Sequence, residues 1–275
     1  MQQNDFIEAS PLGDKSAYVT QYAPELLFPI PRNTPWQPEF EKRPFYGIDV
    51  WNAFEISWLN PNGLPQVAIG EFFFPCSSES IIESKSFKLY LNSVIQTRYE
   101  SMQTLQNVLV KDLSAASGSL VDIVLYELPE YAGFHPISEP DGVCVDQQSV
   151  VIDTYQPDAS LLTADSDEQV TETLYSHLLK TNCPVTDQPD WASVYIIYRG
   201  PKIGREGLLK YIVSYRMHQD FHEQCVERIF NDLMAFCQPS ELSVYARYMR
   251  RGGLDINPYR STTFERPQSI RQVRQ

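Results

Sequence analysis

Read for hydrophobic period, the chain passes twice through one order of elements: strand, strand, helix, helix, strand. In the first half, 51–57 alternates as a strand, Asn60-Pro61-Asn62-Gly63 supplies a turn, and 66–74 reads as a second strand. Residues 84–98 carry Phe87, Tyr90, Leu91, Val94 and Ile95 at the helical period, with a second helix expected over 102–115 and a strand over 120–127. In the second half, 194–198 reads as a strand and 205–217 as a helix. Residues 220–237 place Phe221, Cys225, Ile229 and Leu233 on one helical side, and 242–249 alternates through Leu242, Val244, Ala246 and Tyr248. This order predicts an α+β chain built from two copies of one module, without obvious sequence identity between them. The stretch 129–168, broken by Pro136, Pro140, Gly142 and Pro157, holds the boundary. The opening residues, with Pro29, Pro31, Pro35 and Pro38, read as an extended arm wrapping the body. The expected partition is an arm over 1–45, a first module over 46–138 and a second over 139–275.

Charge narrows the function. The 275 residues carry 22 Lys and Arg against 35 Asp and Glu, a formal charge of −13. That balance keeps a protein soluble and repels polyanions. A general nucleic-acid binder, whose affinity rests on neutralised phosphates, is therefore disfavoured. A small phosphorylated ligand needs only a local cationic pocket. The 5 cysteines include no CxxC pair and the 4 histidines form neither HxxxH nor HxH, so no disulfide framework and no metal site is expected. Met1-Gln2-Gln3-Asn4-Asp5 lacks the basic-then-apolar signature of a signal peptide. No apolar run approaches the roughly 18–20 residues that span a bilayer. A cytoplasmic protein with reduced thiols and no membrane partner is the expectation.

Four places could carry chemistry. Cys183 stands in the polar, turn-rich run Lys180-Thr181-Asn182-Cys183-Pro184-Val185-Thr186-Asp187-Gln188-Pro189-Asp190-Trp191. Free cysteines are more often small core residues, a reading that suits Cys225 and Cys237 beside a helix's apolar side. Around Cys183 there is no apolar periodicity, which leaves room for a thiolate nucleophile with Asp187 or Asp190 as proton manager. His222-Glu223 opens a helix, where Asp220 and Glu223 are equally well read as a capping box. Glu83-Ser84-Lys85-Ser86 also opens a helix. Ser84 or Ser86 would serve there as a plain N-cap. Alternatively, the Glu83 carboxylate accepts two hydrogen bonds from a guanine-like N–H edge while helix N–H groups and Lys85 hold a phosphate. Residues 241–275 carry seven arginines (Arg247, Arg250, Arg251, Arg260, Arg266, Arg271, Arg274) against three acids. Arg250-Arg251-Gly252-Gly253 joins cations to backbone that an anion can approach closely, while Arg271 and Arg274 read as a solvated tail. No GxGxxG or Walker loop occurs, so any nucleotide cofactor binds outside a Rossmann unit.

Four motifs follow one another along the chain: Ile82-Glu83-Ser84-Lys85-Ser86-Phe87-Lys88-Leu89-Tyr90-Leu91-Asn92-Ser93; Asn182-Cys183 with Gln188-Pro189-Asp190-Trp191; Phe221-His222-Glu223-Gln224-Cys225-Val226-Glu227-Arg228; and Tyr248-Met249-Arg250-Arg251-Gly252-Gly253-Leu254-Asp255-Ile256-Asn257-Pro258. In these the chain resembles the 7-cyano-7-deazaguanine reductases, the nitrile reductases of queuosine biosynthesis, in their longer form, over about 49–261. The resemblance implies two tandem tunnelling-fold (T-fold) modules, each an antiparallel sheet with two packed helices, in a homodimer. It implies NADPH as cofactor and no metal. Cys183 would attack the nitrile carbon to give a covalent thioimide, with two NADPH used per turnover and Asp190 relaying protons. Glu83 and Glu223 would grip the base, with Ile82, Ser84 and His222 at the substrate. Ser84, Lys85, Arg251 and Gly252 would hold the NADPH phosphates, helped by Arg250. Two rivals stand beside this reading. A thiol hydrolase or nitrilase would send water to the thioimide instead of hydride, and a non-catalytic tunnelling-fold module would only bind a purine or pterin. An NADPH requirement separates the first, and turnover lost in Cys183→Ala the second.

Overall fold

Residues 19–32, 44–138 and 141–275 are described in the computed structural model. They divide into two α+β units, each mixing sheet and helix. The first comprises Asp49–Pro136, the described residues 19–32 and the short segment Arg250–Asp255. The second comprises Ile137–Met249 with Pro44–Ile48 and Ile256–Gln275.

In the first unit the strands are β1 (Pro29–Pro31), β2 (Tyr46–Leu59), β3 (Pro65–Pro75) and β4 (Ser80–Ile82). Helices α1 (Ser84–Ser93) and α2 (Met102–Ser117), strand β5 (Asp122–Tyr126) and helix α3 (Leu128–Phe134) follow. The sheet order is β5-β3-β2, with β5 antiparallel to β3 from Ile69↔Tyr126 to Phe73↔Asp122. The β2–β3 connection is the expected turn: Gly63 takes φ 83°, where a side chain is strained, and its N–H reaches the Asn60 carbonyl at 2.9 Å. Aromatic alternation supplies the core. The buried Phe87 of α1 packs edge-on against Phe72 and Trp51, ring centroids 5.1 and 5.3 Å away. Leu105, Leu109 and Leu113, four apart on α2, are all fully buried, as a helix face toward a sheet requires. Ser101 caps α2 by accepting from the Thr104 N–H at 3.1 Å, and Gly118 ends it in the left-handed conformation.

The second unit holds β6 (Val143–Cys144), β7 (Ala164–Asn182), β8 (Pro189–Ile203), α4 (Arg205–Ser214), α5 (His222–Cys237), β9 (Glu241–Tyr248) and β10 (Leu254–Ser261). Its strands lie in the order β10-β9-β8-β7-β6, antiparallel except for the β6–β7 pair. The long β7–β8 hairpin was only half visible in the sequence. β7 begins with exposed residues including Asp165, Ser166, Asp167 and Glu168, so no apolar alternation marks it. Helix α1 stops at Ser93 rather than continuing to residue 98, and α3 was unexpected because Pro129 reads as a breaker although proline suits a helix start.

The helix pairs of the two units share atomic details. Helices α1 and α4 are each 10 residues long, and α2 and α5 each 16. Tyr90 and Tyr211, each the seventh residue of its helix, donate at 2.6 Å to Asp112 and Asp232, each the eleventh residue of the next. Ser93 and Ser214 end the two first helices and donate back to the Tyr90 and Tyr211 carbonyls at 2.7 and 2.6 Å. In each unit a 3-10 turn (Pro24–Leu26, Ala159–Leu161) is tied to the same serine: Ala23 N–H to Ser93, Asp158 N–H to Ser214. Of the expected arm, residues 19–32 and 44–45 are described; Pro29 and Pro31 lie in β1, antiparallel to β4, while Pro35 and Pro38 lie outside the described residues.

Candidate active site

In the second unit, the β7–β8 hairpin sets the first group of residues. The strands pair through Thr181↔Asp190 and Asn182↔Pro189, so Cys183 opens the connecting turn and Asp190 lies at its far foot. Cys183 N–H donates to the Gln188 carbonyl at 2.9 Å and its own carbonyl accepts from Asp187 N–H at 3.1 Å, closing a tight loop in which Asp187 takes φ 55°. Cys183 is buried, not solvated as a loop position suggests. The loop is also anchored from outside: Asn182 N–H reaches the His218 carbonyl at 2.8 Å, and Asp220 N–H reaches the Asn182 carbonyl at 3.2 Å. Lys180 Nζ bonds Asn182 Oδ1 at 2.5 Å and the Arg216 carbonyl at 2.8 Å. Burial, then the neighbouring Arg216 guanidinium, pulls the Lys180 ammonium below its ordinary pKa.

Helix α5 starts against this hairpin. Its N-cap is Phe221, with no side-chain cap bond, so the expected Asp220–Glu223 capping box does not form; Asp220 instead accepts from the Phe221 N–H at 2.9 Å. Glu223 is buried with an exposure of 3%. His222 Nε2 lies 3.2 Å from Asp190 Oδ2, and its ring stacks on Tyr248 with centroids 3.7 Å apart and planes 2° from parallel. Beneath the ring lie Tyr248, Thr181 and Cys225, all fully buried; burial pushes the Tyr248 phenol and the Cys225 thiol well up, keeping both protonated. His218, Asp220 and Cys225 bring donor atoms within 4.8 Å of one another. His218 Nε2 and Asp220 Oδ2 lie 3.4 Å apart in this trio.

The first unit assembles the other group. Ile82 is buried at the end of β4, and Glu83, not Ser84 or Ser86, is the N-cap of α1. Its carboxylate accepts from Lys85 N–H at 2.7 Å and Ser86 N–H at 2.8 Å, and burial pushes its carboxyl above the usual range despite those bonds. In the same unit Arg251 and Leu254 exchange backbone hydrogen bonds across Gly252 and Gly253, at φ 59° and 82°. A side chain on Gly253 would collide with the Glu55 carboxyl, whereas one on Gly252 would meet nothing within 4 Å. Lys88 of α1 bonds both Glu55 and the Gly252 carbonyl, so the α1 start and the Arg251–Gly252 turn are brought together. Arg250 covers the Phe54 ring at 3.9 Å. The structure thus joins Cys183, Asp190, His222 and Glu223 in one unit, and Ile82, Glu83, Ser84, Lys85, Arg251 and Gly252 in the other. The Tyr248 stack had no sequence signal beyond the alternation of β9, which marks a core position equally well.

A family model described as "Nitrile reductase, 7-cyano-7-deazaguanine-reductase N-term" matches residues 18–125, and one described as "QueF-like protein" matches residues 189–267. The NADPH-dependent 7-cyano-7-deazaguanine reductase of Azoarcus sp. (strain BH72) is 53% identical over 273 residues, covering 98% of this chain and 96% of the relative. Among solved structures, the apo archaeosine synthase QueF-Like aligns at 20% identity and TM-score 0.31, over 35% of this chain and 96% of its own. No helix among the described residues is long and apolar enough to cross a membrane.

Proposed function

The chain belongs to the family of NADPH-dependent 7-cyano-7-deazaguanine reductases, and from that premise we propose that it reduces the nitrile of 7-cyano-7-deazaguanine to the aminomethyl base through a thioimide on Cys183. The observation that carries this reading is the hairpin that holds Cys183 and Asp190 at the two feet of one turn, with His222 on the Asp190 carboxylate at 3.2 Å. A nitrile carbon is a poor hydride acceptor. Addition of the Cys183 sulfur forms the C–S bond while a proton goes to nitrogen, giving a protonatable C=N group. Asp190, held by His222, is the group suited to deliver that proton. When bound, NADPH supplies hydride to the carbon, once before the C–S bond breaks and once after it. Cys183 leaves as thiolate in between and is ready for the next nitrile. Two hydrides and two protons convert the nitrile to the amine, which sets two NADPH per turnover.

Glu83 and Glu223 are assigned to the N–H edge of the base, with Ile82, Ser84 and His222 beside it. The cofactor phosphates suit Ser84, Lys85, Arg251 and Gly252: a helix start and a glycine turn tied together by Lys88, with open space at Gly252. The matched helix lengths and Tyr–Asp pairs support two tandem tunnelling-fold modules, over 46–138 and 139–275 after an arm at 1–45. A cytoplasmic homodimer with no direct nucleic-acid partner completes the reading, and the net charge of −13 supports the last point.

The test is NADPH oxidation with 7-cyano-7-deazaguanine, with mass spectrometry of the protein alongside. Two NADPH per nitrile, an adduct mapped to Cys183, and its loss together with all turnover in Cys183→Ala are expected. An adduct without NADPH oxidation would mean hydrolysis. Reductase activity retained in Cys183→Ala would overturn the mechanism.

A further inference from the structure

The arginine-rich end of the chain is not a solvated tail. Arg271 forms a bridge with Ile137, Arg274 Nη1 donates to the His177 carbonyl at 3.1 Å, and Gln272 Nε2 bonds the buried Tyr195 hydroxyl. Gln272 and Gln275 are themselves buried, at 4% and 8% exposure. Gln272 thus reaches β8, while Gln275 reaches β9, the strand that carries Tyr248. The β9–β10 register runs through Ser243↔Ser261, Val244↔Arg260 and Tyr245↔Tyr259. At Tyr248 two side-chain amides bind the main chain: Tyr248 N–H donates to Asn257 Oδ1 at 3.1 Å, and Gln275 Nε2 donates to the Tyr248 carbonyl at 3.0 Å. Gln275 Nε2 also reaches Asn257 Oδ1 at 3.2 Å, closing the clamp. The amide orientation is dictated, because Arg247 Nε, which can only donate, points at Gln275 Oε1 from 2.9 Å.

What the clamp holds is the ring under His222. The His222 Nδ1 is buried without a hydrogen-bond partner among the described residues, so the imidazole takes its direction from Asp190 and from the parallel face of Tyr248. A ring fixed by one polar contact and one stack turns if the stack tilts. We infer that Gln275 is a positioning residue for the reaction: by fixing the Tyr248 main chain it keeps the His222 ring aligned with Asp190. The inference rests on the proposed place of His222 at the substrate.

The experiment is steady-state kinetics of full-length Gln275→Ala, alone and in a Tyr248→Leu background, beside His222→Ala. Misplacement behind a reacting group costs rate rather than affinity. Gln275→Ala is therefore expected to lower kcat about tenfold, with KM for the nitrile base within about twofold. Because it acts through Tyr248, the same change made in Tyr248→Leu should cost less than about twofold. Gln275→Glu gives a second route that does not depend on Tyr248→Leu folding. It keeps the Arg247 partner but sets an oxygen against two acceptors, and should lose kcat at least as strongly as Gln275→Ala. Full kcat in Gln275→Ala and Gln275→Glu, or equal losses from Gln275→Ala in both backgrounds, would overturn the inference while leaving His222 in its role. Full kcat in His222→Ala would remove that role and the inference with it.

Discussion

Replacing Glu83 separates a helix cap from a base clamp, because the structure gives the carboxylate both opportunities. Its two oxygens offer about four acceptor sites; the Lys85 and Ser86 N–H groups use two, and the Ser84 hydroxyl at 3.4 Å holds a third that it frees by rotating. In Glu83→Ala the lost cap costs about 1 kcal/mol, which lowers Tm by about 2–4 °C in a protein of this size. If the remaining sites grip the base, two hydrogen bonds to a charged group at about 1.5–3 kcal/mol each also disappear. A loss of about 3 kcal/mol or more raises KM for the nitrile base by about 100-fold or more. Glu83→Gln adds a test by pH. Burial raises the folded-state carboxyl above its unfolded value, so the stability associated with Glu83 is fullest below the unfolded value and falls as pH rises through the folded one. Glutamine does not titrate. The Tm of Glu83→Gln relative to wild type should therefore climb as pH rises from about 4 toward neutrality, while its KM also rises. Thermal melts across pH, paired with initial-rate kinetics, read both. Parallel Tm curves would refute the burial argument, and a KM within about threefold in both variants would refute the clamp.

Other positions give independent checks. Gly252→Ala meets no atom within 4 Å in the free protein, so its stability loss should be small, about 1 kcal/mol for the left-handed backbone; a much larger rise in KM for NADPH would mark close approach by the cofactor, and an unchanged KM would exclude it. Tyr90→Phe removes one donor from Asp112, which still accepts from the Tyr22 hydroxyl, and should cost about 1 kcal/mol in denaturant melts; Tyr211→Phe removes bonds to both Asp232 and Tyr215 and should cost about twice as much, so equal costs would refute this ranking. Arg260 is fully buried, with Nη2 and Nε 2.7 and 3.1 Å from Glu227 Oε1. Arg260→Ala should cost about 3–5 kcal/mol by stranding that carboxylate, and the double change Arg260→Met with Glu227→Leu should recover most of it.

The parts of the protein legible in the sequence are those where one face is apolar and the other wet. Phe87, Leu105, Ile229 and Val244 report their elements because burial follows the period of the backbone. The start of β7 escapes, since its acids face solvent and leave no alternation to read. Gln272 and Gln275 escape for the opposite reason: they are polar side chains buried by hydrogen bonds, and a partner in space has no local signature. The candidate site was found from its motifs, but its couplings were not. Nothing in His222-Glu223 announces that the ring lies flat on Tyr248, or that Glu83 itself caps α1.

The two units match in the lengths of their helix pairs and differ at the helix starts. Counted from equivalent helix starts, Glu83-Ser84-Lys85-Ser86 corresponds to Gly204-Arg205-Glu206-Gly207, and His222-Glu223 to Met102-Gln103. The Tyr–Asp and serine–carbonyl bonds occur at the same positions in both units, whereas the helix starts differ. Gly204 and Gly207 lie against Thr163 and Leu161 so closely that a side chain would collide, closing in the second unit the space that Glu83 uses in the first. The two units thus share these bonds and carry different reactive groups. A glutamate placed there by Gly204→Glu would set its Cβ 2.3 Å from the Thr163 hydroxyl, so the second helix start accepts that side chain only if Thr163 rotates away.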